Sequence, residues 1–326
     1  MQVPSRILEC LRCPVCGRGV VPGDGDVRCP AGHSMPTTHG YVDASSPPSD
    51  PDVARTLDSF GYEWTTFDAV QPEDEQFWEV YFRHVPLDRL RGRVALDAGC
   101  GKGRFTYFTA RHVTAIVALD GSAAVEAAAR NLAAHDNVVV VKSDVRSMPF
   151  ADRSFGFVSC LGVLHHLPDP EAGFAELVRL LAPDGYLLVY VYSRPASPGL
   201  RAAGLGVARI MRRATVRAPH WALRSASAVV AGLLWAVLVL PGRVLSSREE
   251  TPSLPLAAYR SKPFRSLWLD TFDRLSAPLE ARYLWEEIAG WFSAAGLEVL
   301  HARDEAGWFV VAHRPEKAPP GGRPGG

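Results

Sequence analysis

The run Val94-Ala-Leu-Asp-Ala-Gly-Cys-Gly-Lys-Gly103 constrains this chain more than any other feature. An apolar strand leads directly into three glycines at alternate positions, Gly99, Gly101 and Gly103. Glycines so placed let the backbone approach a ligand more closely than a Cβ would permit. Such a turn, followed by a helix, belongs at the C-terminal edge of a parallel sheet, where open α/β folds bind their ligands. A dinucleotide fingerprint, Gly-x-Gly-x-x-Gly, would need its third glycine where this chain has Arg104, so a pyrophosphate turn is disfavoured.

The surrounding pattern agrees with a doubly wound sheet. Strand character recurs at Val94–Ala98, Ala115–Leu119, Val138–Val141, Phe155–Leu161 and Tyr186–Tyr192. Helical spacing fills Phe105–Arg111, Ala123–Ala134 and Phe174–Leu181 between them. A helix over Tyr283–Ala295 and two strands, Leu297–His301 and Trp308–His313, resume the pattern after a long interruption. Asp97 ends the first strand and could orient the glycine turn. Asp120 after the second strand suits ribose hydroxyls, and Asp144 after the third suits an adenine amino group.

VALDAGCGKG, VALDGS, SDVRSMPF, GVLHHLPDP and LLAPDGYLLVY resemble consecutive motifs of the class I S-adenosylmethionine-dependent methyltransferases, in their ubiquinone-biosynthesis-like (type 11) branch. The resemblance covers residues 93–192 plus the closing helix and hairpin. It implies a Rossmann-like α/β fold, a seven-stranded sheet with helices on both faces. It also implies S-adenosylmethionine contacts from Asp97, Ala98, Gly99, Gly101, Gly103, Asp120, Gly121, Asp144, Val145 and Leu161. The chain departs from the family at Gly156, where an Asp is usual. His165 and His166 overhang the expected methyl position, and a histidine is poised as a base near neutral pH. The alternative, one histidine capping a turn and the other packing on the sheet, stays open.

Cys13-Pro-Val-Cys16 and Cys29-Pro-Ala-Gly-His33, twelve residues apart, are spaced as a Cys₃His site for structural Zn²⁺. Cys10 and His39 compete as ligands. A forty-residue segment without an evident core needs such a metal to fold. This spacing resembles the zinc ribbon of ribosomal RNA guanine-N1 methyltransferases and keeps an RNA substrate in view. Lys+Arg and Asp+Glu balance at 35 each, however, which gives no general field for a polyanion, and the His-His motif differs from those enzymes.

Between the fifth strand and the closing helix lies an insertion, 193–280. From Gly185 to Arg248 there are nine arginines and no acidic residue. Val207, Ile210, Met211 and Ala214 share one helical face, and Arg209, Arg213 and Arg217 line another. Ser225–Leu240 runs without a charge, shorter than the about 20 residues a spanning helix requires. Two readings stand: a lid that admits an apolar acceptor and touches an anionic membrane through 200–245, or a buried helical pair within the lid or at a dimer interface.

The expected organisation is a zinc ribbon (1–45), a linker with helices (46–92), a methyltransferase domain (93–314) and a disordered tail (315–326). No secretory signal is visible, and the clustered cysteines suit reduced thiols in a cytoplasmic protein, with peripheral membrane association expected only through the insertion. The favoured activity is methyl transfer to an apolar or lipid-like small molecule. RNA base methylation and a non-catalytic cofactor-binding partner are the alternatives. The oligomeric state is not readable.

Overall fold

In a computed structural model the described residues are 3–37, 39–195, 197, 199–245, 256, 259, 260, 262–305 and 307–316. The expected tail lies outside them from residue 317. The strands are β1 (Val21–Pro22), β2 (Asp26–Arg28), β3 (Ser34–Pro36), β4 (Val42–Asp43), β5 (Val94–Ala98), β6 (Ala115–Asp120), β7 (Val138–Lys142), β8 (Phe155–Leu161), β9 (Leu181–Tyr192), β10 (Glu298–Asp304) and β11 (Gly307–His313). The helices are α1 (Ser5–Cys10), α2 (Pro51–Thr66), α3 (Glu73–Phe82), α4 (Arg104–Thr109), α5 (Ala124–Leu132), α6 (Pro170–Leu180), α7 (Leu200–Thr215), α8 (His220–Leu234), α9 (Leu240–Leu245), α10 (Phe264–Ser276) and α11 (Trp285–Ala294).

The main sheet runs β10-β11-β9-β8-β5-β6-β7-β4, parallel except for the hairpin at one edge. It has eight strands instead of the expected seven. The additional one is β4, which pairs in parallel with β7 (Val42 opposite Val141). The sequence placed Val42 within the ribbon, where a two-residue strand carries no periodicity to reveal its partner.

Alternation along each strand builds one core on either face. Ala95, Ile116, Phe157, Leu188 and Val311 meet Trp78 and Phe82 of α3 and Phe105 and Phe108 of α4. Leu96, Val117, Val158, Leu187 and Val310 meet Phe174 and Leu177 of α6 and Ile288 and Phe292 of α11. Crossover helices on both faces explain why the central strands read as apolar throughout. At Gly156 a Cβ would fall 2.7 Å from Arg93 Cδ. The Arg93 stem occupies that space, and its guanidinium pairs with Asp184 at 2.6 Å.

The small sheet β1-β2-β3 joins the same interior. Ile7, Leu11, Val27 and Met35 are buried with Val139, Val141, Met148 and Phe150. Backbone bonds from Arg12 N–H to Pro149 O and from Ala151 N–H to Cys10 O, both 2.8 Å, fix the junction. At the other end, a bridge between Ser193 and Tyr283 closes the neck of the insertion. Within it α8 continues through a π-helical stretch, Trp235–Val239, into α9, and it packs along α10.

Candidate functional site

Gly99 has φ +82° and Gly101 φ +54°, a region that side chains avoid. A Cβ at Gly99 would lie 2.1 Å from Val163 Cγ2, and one at Gly101 would lie 3.1 Å from the Trp64 indole nitrogen. The N–H groups of Gly99 and Cys100 both donate to Leu119 O, at 2.7 and 2.9 Å, which bends the turn across the end of β6. Asp120 then braces it. Its Oδ2 accepts from Gly101 N–H (2.9 Å), and its Oδ1 accepts from the N–H and hydroxyl of Ser122 (2.8 and 2.7 Å). Oδ2 retains acceptor capacity for a ligand hydroxyl. The cradle therefore fits an adenosyl group.

Asp97 is buried beneath the turn. It accepts from Thr106 Oγ1 (2.6 Å) and Ser159 Oγ (3.0 Å). Burial raises its carboxyl to about 6 against the pull of those two hydroxyls. Ala98 is buried opposite Leu119, and Gly103, also at positive φ, opens α4 as its N-cap. Gly121 lies under Leu57 of α2. Asp144 and Val145 follow β7, and the Asp144 carboxylate is held by its neighbour Arg146 through the backbone N–H (2.8 Å) and a guanidinium pair (2.6 Å). Leu161 ends β8 half-buried, opposite Tyr190.

Beyond β8 the chain brings His165 and His166 against residues to which the sequence assigns no role. His165 is fully buried and stacked on Tyr192, with ring centroids 3.8 Å apart. Neither of its ring nitrogens has a partner among the described residues. Burial holds it well below the usual histidine range, with His166 and Arg282 adding to the effect, so it is a neutral imidazole. His166 Nδ1 lies 2.6 Å from Leu279 O. A carbonyl only accepts, so Nδ1 carries a proton and donates it to Leu279 O.

Three further residues complete this region. Glu63 of α2 is buried, its Oε2 has no partner among the described residues, and burial, with Asp273 and Asp270 nearby, raises its carboxyl well above the usual range. Asp273 of α10 accepts from the Tyr192 hydroxyl (2.8 Å), while its Oδ1 is buried without a partner among the described residues. Burial shifts this carboxyl upward too, opposed by His166 and Tyr192. Phe60 of α2 covers His166 edge-on at 4.9 Å. Sequence periodicity could not join residues 63, 192 and 273, because they meet only after α2 and α10 fold over the sheet edge. The one sequence signal for them is the stretch Trp268–Leu275, where apolar residues resume and return the chain to the core.

At the N-terminus Cys13, Cys16, Cys29 and His33 converge, with all four ligand atoms within 4.8 Å of one another. Cys13 Sγ and Cys29 Sγ lie 3.5 and 3.4 Å from His33 Nδ1, and Cys16 Sγ lies 3.6 Å from Cys29 Sγ. Burial disfavours the Cys29 thiolate, yet N–H donors from His33 and Ala31 bring it down to about 6. Three sulfurs and an imidazole nitrogen at this separation fit a tetrahedral Zn²⁺. Cys10 stands apart, its thiol donating to Ile7 O and pushed up to about 12 by burial. His39 stacks on Tyr41 instead.

Residues 96–189 match the protein family described as "Methyltransferase domain". An uncharacterised protein of a Synechococcus strain is 28% identical over 65% of this chain and 49% of its own length. The demethylmenaquinone methyltransferase of Clavibacter sepedonicus is 31% identical over 39% of this chain and 52% of its own. The ubiquinone/menaquinone biosynthesis C-methyltransferase of Hahella chejuensis is 29% identical over 50% and 68%. The chain thus spans about half the length of the first two of these relatives.

Proposed function

We propose that this protein is an S-adenosylmethionine-dependent methyltransferase acting on an apolar, quinone-like small molecule. The carrying observation is adjacency. The glycine cradle braced by Asp120 lies against Val163 and Trp64, next to a buried aromatic region in which polar atoms of Glu63, Asp273 and His165 have no partner among the described residues. Buried polar atoms are normally satisfied, so a ligand with matching groups is their natural partner. The demethylmenaquinone and ubiquinone relatives support the acceptor class.

When bound, the cofactor supplies a methyl group activated by a sulfonium. The chain's part is positioning and proton handling. Asp120 orients the ribose, and Asp97 places a carboxylate under the turn. Phe60, Tyr190 and Tyr192 offer apolar walls. Glu63, driven toward its neutral form by burial, donates to an oxygen of the acceptor. His166, its tautomer set by Leu279 O, takes the acceptor proton on Nε2. The Cys₃His cluster holds structural zinc that fixes the N-terminal module.

The test is incubation with labelled cofactor and separated lipid, small-molecule and RNA fractions, alongside a purified demethylated naphthoquinone. Label in the lipid or quinone fraction, lost in Asp120→Ala, supports the reading. Label confined to RNA replaces the acceptor. No heat of cofactor binding to folded protein sinks the activity altogether.

A further inference from the structure

The helix from His220 to Arg243 is long and apolar enough to cross a membrane, yet only 22% of its most apolar window is buried. Its exposed side carries Trp221 (71% exposed), Val229 (64%), Leu233 (63%) and Val237 (67%). The last three recur at intervals of four and form one stripe. Val207 and Ile210 of α7 are also exposed. Large apolar side chains gathered on one insertion mark an interaction surface.

The opposite side of α8 is committed to the protein. Leu223 packs with Phe272 and Leu275 of α10, and Ala231 and Val239 pack with Leu267 and Tyr259. Trp268 Nε1 donates to Ser227 Oγ (3.1 Å) and Arg224 O (3.2 Å). Crossing a bilayer would strip this packing and leave polar groups unpaired in hydrocarbon. Charge names the occupant. Arg209 and Arg213 of α7 and Arg217 in the turn before α8 are exposed, and no acidic residue occurs from Gly185 to Arg248. Juxtaposed arginines and apolar side chains fit acyl chains beneath anionic headgroups.

We propose that the outer face of α7 and α8 docks flat on an anionic bilayer, as an interfacial segment that does not span it. The sequence left a membrane lid and a buried helical pair as equal readings, and the exposure of this stripe favours the former. Docking stands independently of the methyl-transfer reading. Given both, a further consequence follows. α10 separates the docked face from the acceptor region, because its Trp268 faces α8 while its Asp273 meets Tyr192. An acceptor dissolved in the bilayer would be one helix away, about 10 Å.

The experiment is flotation of the full chain with vesicles of phosphatidylcholine alone and with phosphatidylglycerol added, followed by alkaline carbonate extraction. Wild type should float with the anionic vesicles and be released by carbonate. Val229→Ser, Leu233→Ser and Val237→Ser combined should lower partitioning at least about ten-fold, the order expected for three interfacial apolar side chains. Arg209→Gln with Arg213→Gln and Arg217→Gln should remove the preference for anionic lipid. Circular dichroism of each variant checks that the fold is intact. Equal flotation of wild type and the triple serine variant, or retention after carbonate, overturns the proposal. So does a dimer in light scattering that the serine variant abolishes while wild type ignores vesicles, since a second copy then covers the stripe. Cofactor binding by calorimetry, unchanged in the serine variant, separates failure of docking from failure of the activity.

Discussion

Asp97 gives the sharpest test of how the fold supports the site. Its carboxyl is raised from 3.8 to about 6, chiefly by burial. The folded protein therefore binds this proton more tightly than the unfolded chain. Stability present below pH 3.8 is lost as pH rises to about 6 and stays lost above it. At 1.36 kcal/mol per tenfold change in proton affinity, the ionised group costs about 3 kcal/mol at neutral pH. Asp97→Asn removes the charge and keeps the shape. The hydroxyls of Thr106 and Ser159 now both donate to the carboxylate, and one would turn to accept from the new amide. Any fixed cost of that rearrangement is independent of pH. The gain of the variant over wild type should thus grow by about 1.4 kcal/mol between pH 5 and pH 7.5. Urea unfolding at the two pH values measures it. A gain identical at both would refute the reasoning. Cofactor binding should weaken about ten-fold at pH 7.5, the order expected when one negative charge is removed from beside a cationic ligand.

Gly99→Ala forces a side chain into φ +82° and toward Val163 Cγ2. It should destabilise by about 2–5 kcal/mol from left-handed strain and overpacking, and adding Val163→Ala should recover part of the loss in urea unfolding. Freshly purified, reduced protein should hold close to one zinc by elemental analysis. Cys29→Ser should lose it and lower Tm, while less than about half an equivalent in wild type removes the metal site. His166→Ala should lower kcat about a hundred-fold with little change in KM, whereas an effect on KM alone would assign it to binding.

The parallel sheet was legible because its strands carry short apolar runs at regular spacing, and the glycine turn because three alternate glycines have few other uses. Spacing pointed to the Cys₃His set but left Cys10 and His39 as competitors, and the structure brings the four together while leaving those two aside. Three things were not readable. Val42 and Asp43 form too short a strand to show a period, so the eighth strand was missed. Glu63, Tyr192 and Asp273 lie on three separate elements, and only the tertiary fold joins them. The insertion's apolar run looked too short to span because the charge-free stretch stopped at Ser225, whereas the helix begins at His220 and runs on through a π-helical turn.

Helix α2 touches every part of this arrangement. Trp64 presses on Gly101, Phe60 covers His166, and Tyr62 packs on Phe272 of α10, which in turn holds α8. A ligand at the glycine turn and one beside His166 would both lie against this helix. Whichever binds first holds it in place, and the second finds it already ordered. The two ligands should consequently help each other with equal strength in either direction, as linkage requires.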